Sequence, residues 1–161
     1  MLTDYVLAGA LGGLIAFVFS IPAIVLEITE FGKVKNVPLL VDVKTIFGLK
    51  IRHKHEVFFI GLLLHLVFGF LFGFVYVLFA EQGWLFLIHP PYTVLSLIIF
   101  ALVSWVVVGL VIYPLLGLGI FGLKEGPHVW LETITSHLIL AFSLWLLVQY
   151  FQPFFFNTPL L

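Results

Sequence analysis

The chain has 161 residues, of which 63% are apolar and only 9% are charged. Ordinary soluble domains carry roughly 25% charged residues, so this composition excludes a soluble globular protein and indicates an integral membrane protein. Seven Lys and Arg balance eight Asp and Glu, which argues against a nucleic-acid partner. The absence of cysteine from the sequence excludes disulfides, thiolate nucleophiles and Cys-ligated metal sites.

Four apolar stretches predict an all-α integral membrane protein with four transmembrane helices, forming a single transmembrane domain over residues 1–161. The predicted spans cover residues 5–26, 57–79, 93–116 and 129–150. Each stretch is long enough to cross, because a spanning helix needs about 20 apolar residues. Asp4 stands where a cleaved signal peptide carries a basic residue, so we expect the first span to be retained. Little chain remains for a catalytic domain and no catalytic motif occurs, so the protein is predicted not to be an enzyme.

The distribution of basic residues predicts the orientation. All of them fall between the first and second spans or between the third and fourth: Lys33, Lys35, Lys44, Lys50, Arg52, Lys54 and Lys124. Basic loops are retained on the cytoplasmic side of the membrane. We therefore expect a multi-pass protein that contacts the lipid bilayer and has both termini on the non-cytoplasmic side.

The long connection between the first two spans contains a short amphipathic pattern. Pro38 opens and Gly48 closes a segment whose apolar residues are three and four positions apart, which is typical of a helix with one apolar face. We interpret residues 38–48 as a short helix lying in the cytoplasmic interface. A solvated connector that only follows the positive-inside rule is an equal alternative.

The second and fourth spans each place one histidine at the same depth. His65 lies eight residues after Val57, and His137 lies eight residues after Val129. At 1.5 Å per residue, both imidazoles lie roughly 12 Å into a hydrocarbon layer of ~30 Å. The two hairpins therefore read as parallel repeats, and a pseudo-twofold axis along the membrane normal would let the histidines face each other.

Small residues share a helix face with the first of these histidines. At about 100° per residue, Gly61, Gly69, Gly73 and Tyr76 lie on the same face of the second span as His65. Such a stripe lets two helices approach closely. We therefore predict that this histidine points into the bundle, and we expect the same of His137, which also lies on the small-residue face of its helix.

The fourth span carries two faces that differ from a lipid-facing surface. Ala141 lies beside His137 on one face, while Glu132, Ser136 and Ser143 form a second stripe on the other. With two such faces, the fourth span is expected to be the helix most enclosed by protein.

Three roles stay open for the paired histidines. In the leading interpretation they donate hydrogen bonds across the helix packing of a non-catalytic packing or interaction protein. In the second, the histidines, Tyr76 and the second stripe of the fourth span line a pathway in a small proton or solute transporter or channel. In the third, His65 and His137 hold haem b as axial ligands. A metal site is not predicted, because Glu132 is rotated ~140° from His137 on its helix.

A glycine pair in the first span suggests a surface for association. Gly9 and Gly13 are four residues apart, a spacing that often joins transmembrane helices. We predict a helix-packing role for both. Homo-oligomerisation through this pair, or contact with another membrane protein, is the corresponding hypothesis.

Short motifs spread over nearly the whole chain carry a resemblance to a known family. They are Pro38-Leu39-Leu40-Val41-Asp42-Val43, Phe47-Gly48, His65-x-x-x-Gly69-x-x-x-Gly73-x-x-Tyr76, the run from Pro114 to Gly122, and His137. In this pattern the chain resembles the YagU-like proteins, a family of small prokaryotic four-span membrane proteins of unknown function. Leu140-Ala141 replaces the aromatic-Gly pair expected in that family. The resemblance implies a four-span fold in the plasma (inner) membrane and no established chemistry.

The orientation can be tested by cysteine labelling, because the chain has no cysteine of its own. In intact cells, the Lys50→Cys variant is expected to be protected from an impermeant thiol reagent, since its loop is predicted to be cytoplasmic. The Gln82→Cys variant is expected to be labelled. The reverse pattern would contradict the predicted orientation.

Overall fold

The computed structural model describes residues 2–30, 54–85, 92–115, 117–124, 126–152 and 154–156. Within these ranges the chain forms helices and short connections, without any strand. This confirms the prediction of an all-α protein for the described residues. The predicted interfacial segment at residues 38–48 lies outside them.

Four long helices make up the bundle, and we number them α1 to α4. They run over Leu2–Glu30, Lys54–Glu81, Val94–Leu115 and Val129–Phe151. Each contains an apolar stretch of 22 to 24 residues that is long enough to cross a membrane. The four predicted spans are thus confirmed as candidate membrane helices, and α1 and α2 extend beyond their predicted bounds at both ends.

The backbones of α1 and α2 touch, which makes them the most closely packed helix pair. A Cβ atom on Gly12 would lie 2.1 Å from the carbonyl oxygen of Gly69, and one on Gly73 would lie 2.0 Å from that of Ala8. Only glycine fits at such positions, because no side-chain atom can come so close to a backbone oxygen. Ala8, Gly12 and Ala16 recur every four residues along α1, and this spacing is the sequence signal for the contact.

The surface of α1 around Gly9 and Gly13 is covered by α2 of the same chain. Gly9 is buried, and a Cβ atom there would lie 2.7 Å from the ring of Phe70. Gly13 is half-buried, and its Cβ would make an ordinary contact of 3.6 Å with the Leu66 carbonyl oxygen. The hypothesis that this pair joins two copies is corrected accordingly, because the surface is used for packing within the chain.

The second helix pair is α3 with α4, and contacts between α1 and α4 close the bundle. The contact between α2 and α3 is slight by comparison. The buried core runs along the shared interior and includes Ala8, Leu11, Ile15, Phe72, Tyr76, Val77, Leu97, Phe100, Ala101, Ala141, Leu144 and Val148. The interior is therefore filled by side chains of all four helices.

A π-helical turn interrupts α3 near its end. It covers Val108–Ile112, directly before the last turn that contains Pro114. Pro114 has no N–H and its ring would meet the carbonyl of Leu110 in a regular α-helix, so a wider turn accommodates it. Pro22, which lies near the same end of α1, sits inside a continuous α-helix. The two prolines therefore shape their helices differently.

The helix least enclosed by protein is α4. Only 17% of the residues in its apolar stretch are buried, against 39% in α1 and 28% in both α2 and α3. The expectation that the fourth span would be the most enclosed is wrong, because Glu132 and Ser136 face outward. Its inward face consists of Ala141, Leu144 and Val148.

Replacing Gly12 with alanine is expected to destabilise the bundle. The new methyl group would meet the backbone oxygen of Gly69, which cannot rotate away, so the two helices must separate. We expect a loss of about 1–3 kcal/mol in the free energy of unfolding, measured as a lower thermal unfolding midpoint in detergent. Gly13→Ala is the matched control, because its Cβ has room. Equal destabilisation by both substitutions would contradict the assigned backbone contact.

Candidate functional site

The two histidines lie on the inward stripes of α2 and α4. His65 falls between the buried Gly61 and Gly69, four residues from each, and His137 lies four residues before the buried Ala141. Both imidazoles are half-buried. Each histidine therefore lies on the face of its helix that carries buried residues, and neither lies on the fully exposed side.

The hydrogen bond of His137 is made within its own helix. Its Nδ1 lies 2.8 Å from the carbonyl oxygen of Thr133, one turn earlier in α4. Since a carbonyl oxygen only accepts, Nδ1 carries the proton in the neutral ring and Nε2 is left as an acceptor. The sequence analysis predicted that this ring donates a hydrogen bond to a neighbouring helix. In the structure, Nδ1 instead donates to a carbonyl of its own helix, four residues earlier.

The phenol of Tyr76 connects α2 to the beginning of α3. Tyr76 and Ser96 are both fully buried, and their hydroxyl oxygens are 2.7 Å apart. Ser96 forms a capping box with Thr93, and its hydroxyl donates to the Thr93 carbonyl at 2.7 Å. Because that hydroxyl proton is already used, the Tyr76 hydroxyl is the donor in the pair. This buried hydrogen bond joins two helices whose direct contact is slight.

A carboxylate that the sequence analysis did not single out organises one end of the bundle. Glu81, the last residue of α2, accepts hydrogen bonds from the hydroxyl of Tyr5 on α1 and from that of Tyr92 before α3, the latter at 3.4 Å. We name Tyr5, Glu81 and Tyr92 the Glu81 cluster, and the end of the bundle where they lie the Glu81 end. One side chain thus links three segments of the chain.

The fourth helix joins this cluster through Tyr92. The Gln149 side chain of α4 donates from Nε2 to the Tyr92 carbonyl oxygen at 2.8 Å. Tyr92 is only 2% exposed, and burial, followed by the negative charge of Glu81, raises the pKa of its phenol above the ordinary value. The phenol is therefore protonated throughout the physiological range and is a permanent donor to Glu81.

Two aromatic rings lie between the Tyr76–Ser96 pair and His137. The Phe72 and Phe100 rings pack edge to face with centroids 4.9 Å apart, and we name them the aromatic layer. Phe100 lies 5.6 Å from the Tyr76 ring, and Phe72 lies 6.2 Å from the His137 ring. Within the described part of the chain, no hydrogen bond crosses this layer. The polar groups of the interior therefore form two separate levels.

The predicted polar stripe of α4 lies on the other side of that helix. Glu132 and Ser136 are exposed, and Ser143 is half-buried. The Ser136 hydroxyl donates to the Glu132 carbonyl oxygen of its own helix at 2.9 Å. The structure thus separates this stripe from the inward-facing histidines and from Tyr76, with which it was predicted to line one pathway.

A strained contact lies near the end of the bundle opposite to Glu81. The Trp105 ring lies 4.6 Å from Phe121, whose backbone has a left-handed φ of 51°. Gly109 permits this approach, because a Cβ atom there would stand 2.2 Å from the Phe121 ring. Within the described ranges the Trp105 Nε1 is buried without a hydrogen-bond partner, which costs free energy. No pattern in the sequence predicted this arrangement.

The potential metal ligands that the structure describes do not converge. Among the described residues, no group of three or more His, Asp or Glu side chains lies close enough to hold a metal ion. For haem, the only two ligands proposed were His65 and His137, and the Phe72 ring lies beside the second of them. The haem hypothesis stays a prediction.

The Glu81 cluster was missed because its members looked ordinary for a membrane protein. A tyrosine next to the beginning of a span, such as Tyr92, is typical of the aromatic belt at a membrane surface. The available signal was Glu81 itself, since a carboxylate at the last residue of a helix is opposed by the helix dipole and needs compensating partners.

Comparison with known proteins found no match to this chain among family models, curated proteins or solved structures. The resemblance to the YagU-like proteins therefore rests on the motifs alone.

Replacing His137 with leucine is expected to change the stability only slightly. The Thr133 carbonyl also accepts the backbone N–H of His137 in the helix ladder, so no buried acceptor is left unpaired. We expect a loss of less than about 1 kcal/mol in the free energy of unfolding, with His137→Gln as the polar control. A loss of about 2 kcal/mol or more in the leucine variant alone would mean that Nε2 has a partner across the helix packing.

Proposed function

We propose that this four-span protein is a non-catalytic membrane interaction protein, and that it associates with a second copy of itself through the outward face of α4. The observation that carries the proposal is the exposure of a regular, partly polar seam on the least enclosed helix. The seam consists of Glu132, Ser136, Ile139, Ser143, Leu146 and Tyr150. Five of the six side chains are exposed, and the sixth, Ser143, is half-buried.

The spacing of the seam suits helix association. Its members are separated by four, three, four, three and four residues, which is the repeat of two helices that pack with a left-handed supercoil. Ser136 and Ser143, seven residues apart, supply small side chains in the middle of the span. Small and hydroxyl-bearing residues are enriched where membrane helices pack, because lipid gives apolar surfaces no reason to associate.

A second copy suits this seam better than an unrelated helix. Copies of one membrane protein insert in the same direction, so a twofold axis along the membrane normal places identical residues at equal depth. Ser136 and Ser143 would then face their counterparts, and each such hydroxyl contact adds about 0.6 kcal/mol on average. Glu132 lies in the first turn of α4, where the helix dipole stabilises its charge close to the membrane surface.

Finer features of the architecture belong to the same proposal. We propose that the two hairpins are parallel repeats, that both termini are non-cytoplasmic, and that residues 38–48 lie in the cytoplasmic interface of a plasma (inner) membrane. The pairing of α1 with α2 and of α3 with α4 supports the two-hairpin arrangement. The motifs shared with the YagU-like proteins support the location.

The transporter or channel hypothesis has less support. A proton or solute path needs polar groups that follow one another across the membrane. Here the aromatic layer of Phe72 and Phe100 lies between His137 and the Tyr76–Ser96 pair. A path along these groups would require the two rings to move.

Disulfide crosslinking in native membranes tests the proposed association. The Ser136→Cys and Ser143→Cys variants are expected to form covalent dimers on oxidation, because the seam brings each residue next to its counterpart. Leu102→Cys is the matched control: Leu102 is 38% exposed on α3, and its distance from the Glu81 end resembles that of Ser143. Failure of both serine positions to crosslink, or an equal yield from Leu102→Cys, would overturn the proposal.

A further inference from the structure

Residues 154–156, which follow α4, lie against the Glu81 end of the bundle. Phe156 is only 1% exposed, whereas Phe154 and Phe155 are 80% and 38% exposed. The Phe156 backbone has a left-handed φ of 59°, a conformation that is strained for a residue with a large side chain. The chain is thus held in an unfavourable backbone conformation in order to bury a single ring.

Contacts from two other segments hold Phe156 in this position. Its backbone N–H donates to the Asp4 carboxylate at 3.1 Å, so the beginning of α1 holds a residue 152 positions later. Its ring packs edge to face against Tyr92, with centroids 5.5 Å apart. Tyr92 is the residue that also donates to Glu81 and receives the Gln149 hydrogen bond.

The buried ring covers the polar interior of this end. Tyr92 lies against both Phe156 and the Tyr76 ring, and Tyr76 in turn contacts Ser96. Two titratable groups contact Phe156 directly, Asp4 and Tyr92. Tyr5 and Tyr92 donate to Glu81, and Tyr76 packs against the Tyr92 ring. Water that reached this network would compete for each of its hydrogen bonds.

We infer that residues 154–156 form a strap, held by Asp4, that closes the Glu81 end over two neighbouring hydrogen bonds, Tyr92–Glu81 and the buried Tyr76–Ser96 pair. The strap can open at a low cost in free energy, because Asp4 holds it by one hydrogen bond to the strained Phe156 backbone. The neighbouring Phe154 and Phe155 rings are exposed and add little to its attachment. Opening it would expose the hydroxyl groups of the interior as far as the aromatic layer. The strap thus controls access to the only interior polar level that the described residues place at this end.

The absence of cysteine from the sequence allows a direct measurement of this closure. A single cysteine is introduced as Ser96→Cys, which keeps a small polar side chain at a position with 0% exposure. The rate at which a small, water-soluble thiosulfonate reagent modifies it is measured on the purified full chain in detergent, where membrane orientation plays no part. With the strap closed, we expect this rate to be slow.

Two substitutions open the strap in different ways. Phe156→Ala removes the covering ring, and Asp4→Ala removes the acceptor that holds the backbone, so the second variant tests the closure even where the first fails to fold. Each is expected to increase the modification rate of Ser96→Cys at least tenfold. Phe154→Ala is the matched control, because this neighbouring ring is 80% exposed, and it should leave the rate unchanged.

Local opening is distinguished from general loosening by a second reporter. Ala101→Cys lies on the same helix, five residues deeper, at a position that also has 0% exposure. It should react slowly in every background. An unchanged Ser96→Cys rate in both strap variants, or an equal increase at Ala101→Cys, would overturn the strap.

Discussion

The backbone contact between α1 and α2 is the constraint on which the rest of the bundle depends. Gly12 meets Gly69 and Gly73 meets Ala8 without any side chain between them, which fixes the separation and register of the two helices. With that register set, Tyr5 arrives at the end of α2, where it donates to Glu81. A glycine contact in the middle of the span thus determines which polar groups meet at its end.

Among the described residues, buried polar side-chain atoms other than the Trp105 Nε1 have a hydrogen-bond partner, because lipid offers no water to replace one. At the Glu81 end the partners come from different helices, so those hydrogen bonds also hold the bundle together. At the level of His137 the partner is a carbonyl of the same helix, which adds nothing to the contact between helices. The aromatic layer keeps the two levels apart.

The helices differ in how completely the bundle covers them. Packing against α2 buries much of α1, whereas α4 contacts α3 and α1 and leaves a seam of alternating serine and apolar positions outside. The Gly9 and Gly13 surface, which was the expected site of association, is used inside the chain. The surface that remains for a partner is therefore the α4 seam, which has fewer small residues than the Gly9 and Gly13 surface but is more exposed.

The sequence by itself determined the all-α class of this protein and its four candidate membrane spans, because crossing a bilayer requires long apolar helices that satisfy their own backbone. It also placed Tyr76 and the glycines of α2 on one face, since helical periodicity follows from residue number alone. Only the tertiary structure decided which faces meet. The outward position of Glu132 and Ser136, the cluster around Glu81 and the burial of Phe156 all depend on residues distant in sequence. Hydropathy cannot separate these faces, because in a membrane the lipid-facing and protein-facing surfaces are both apolar.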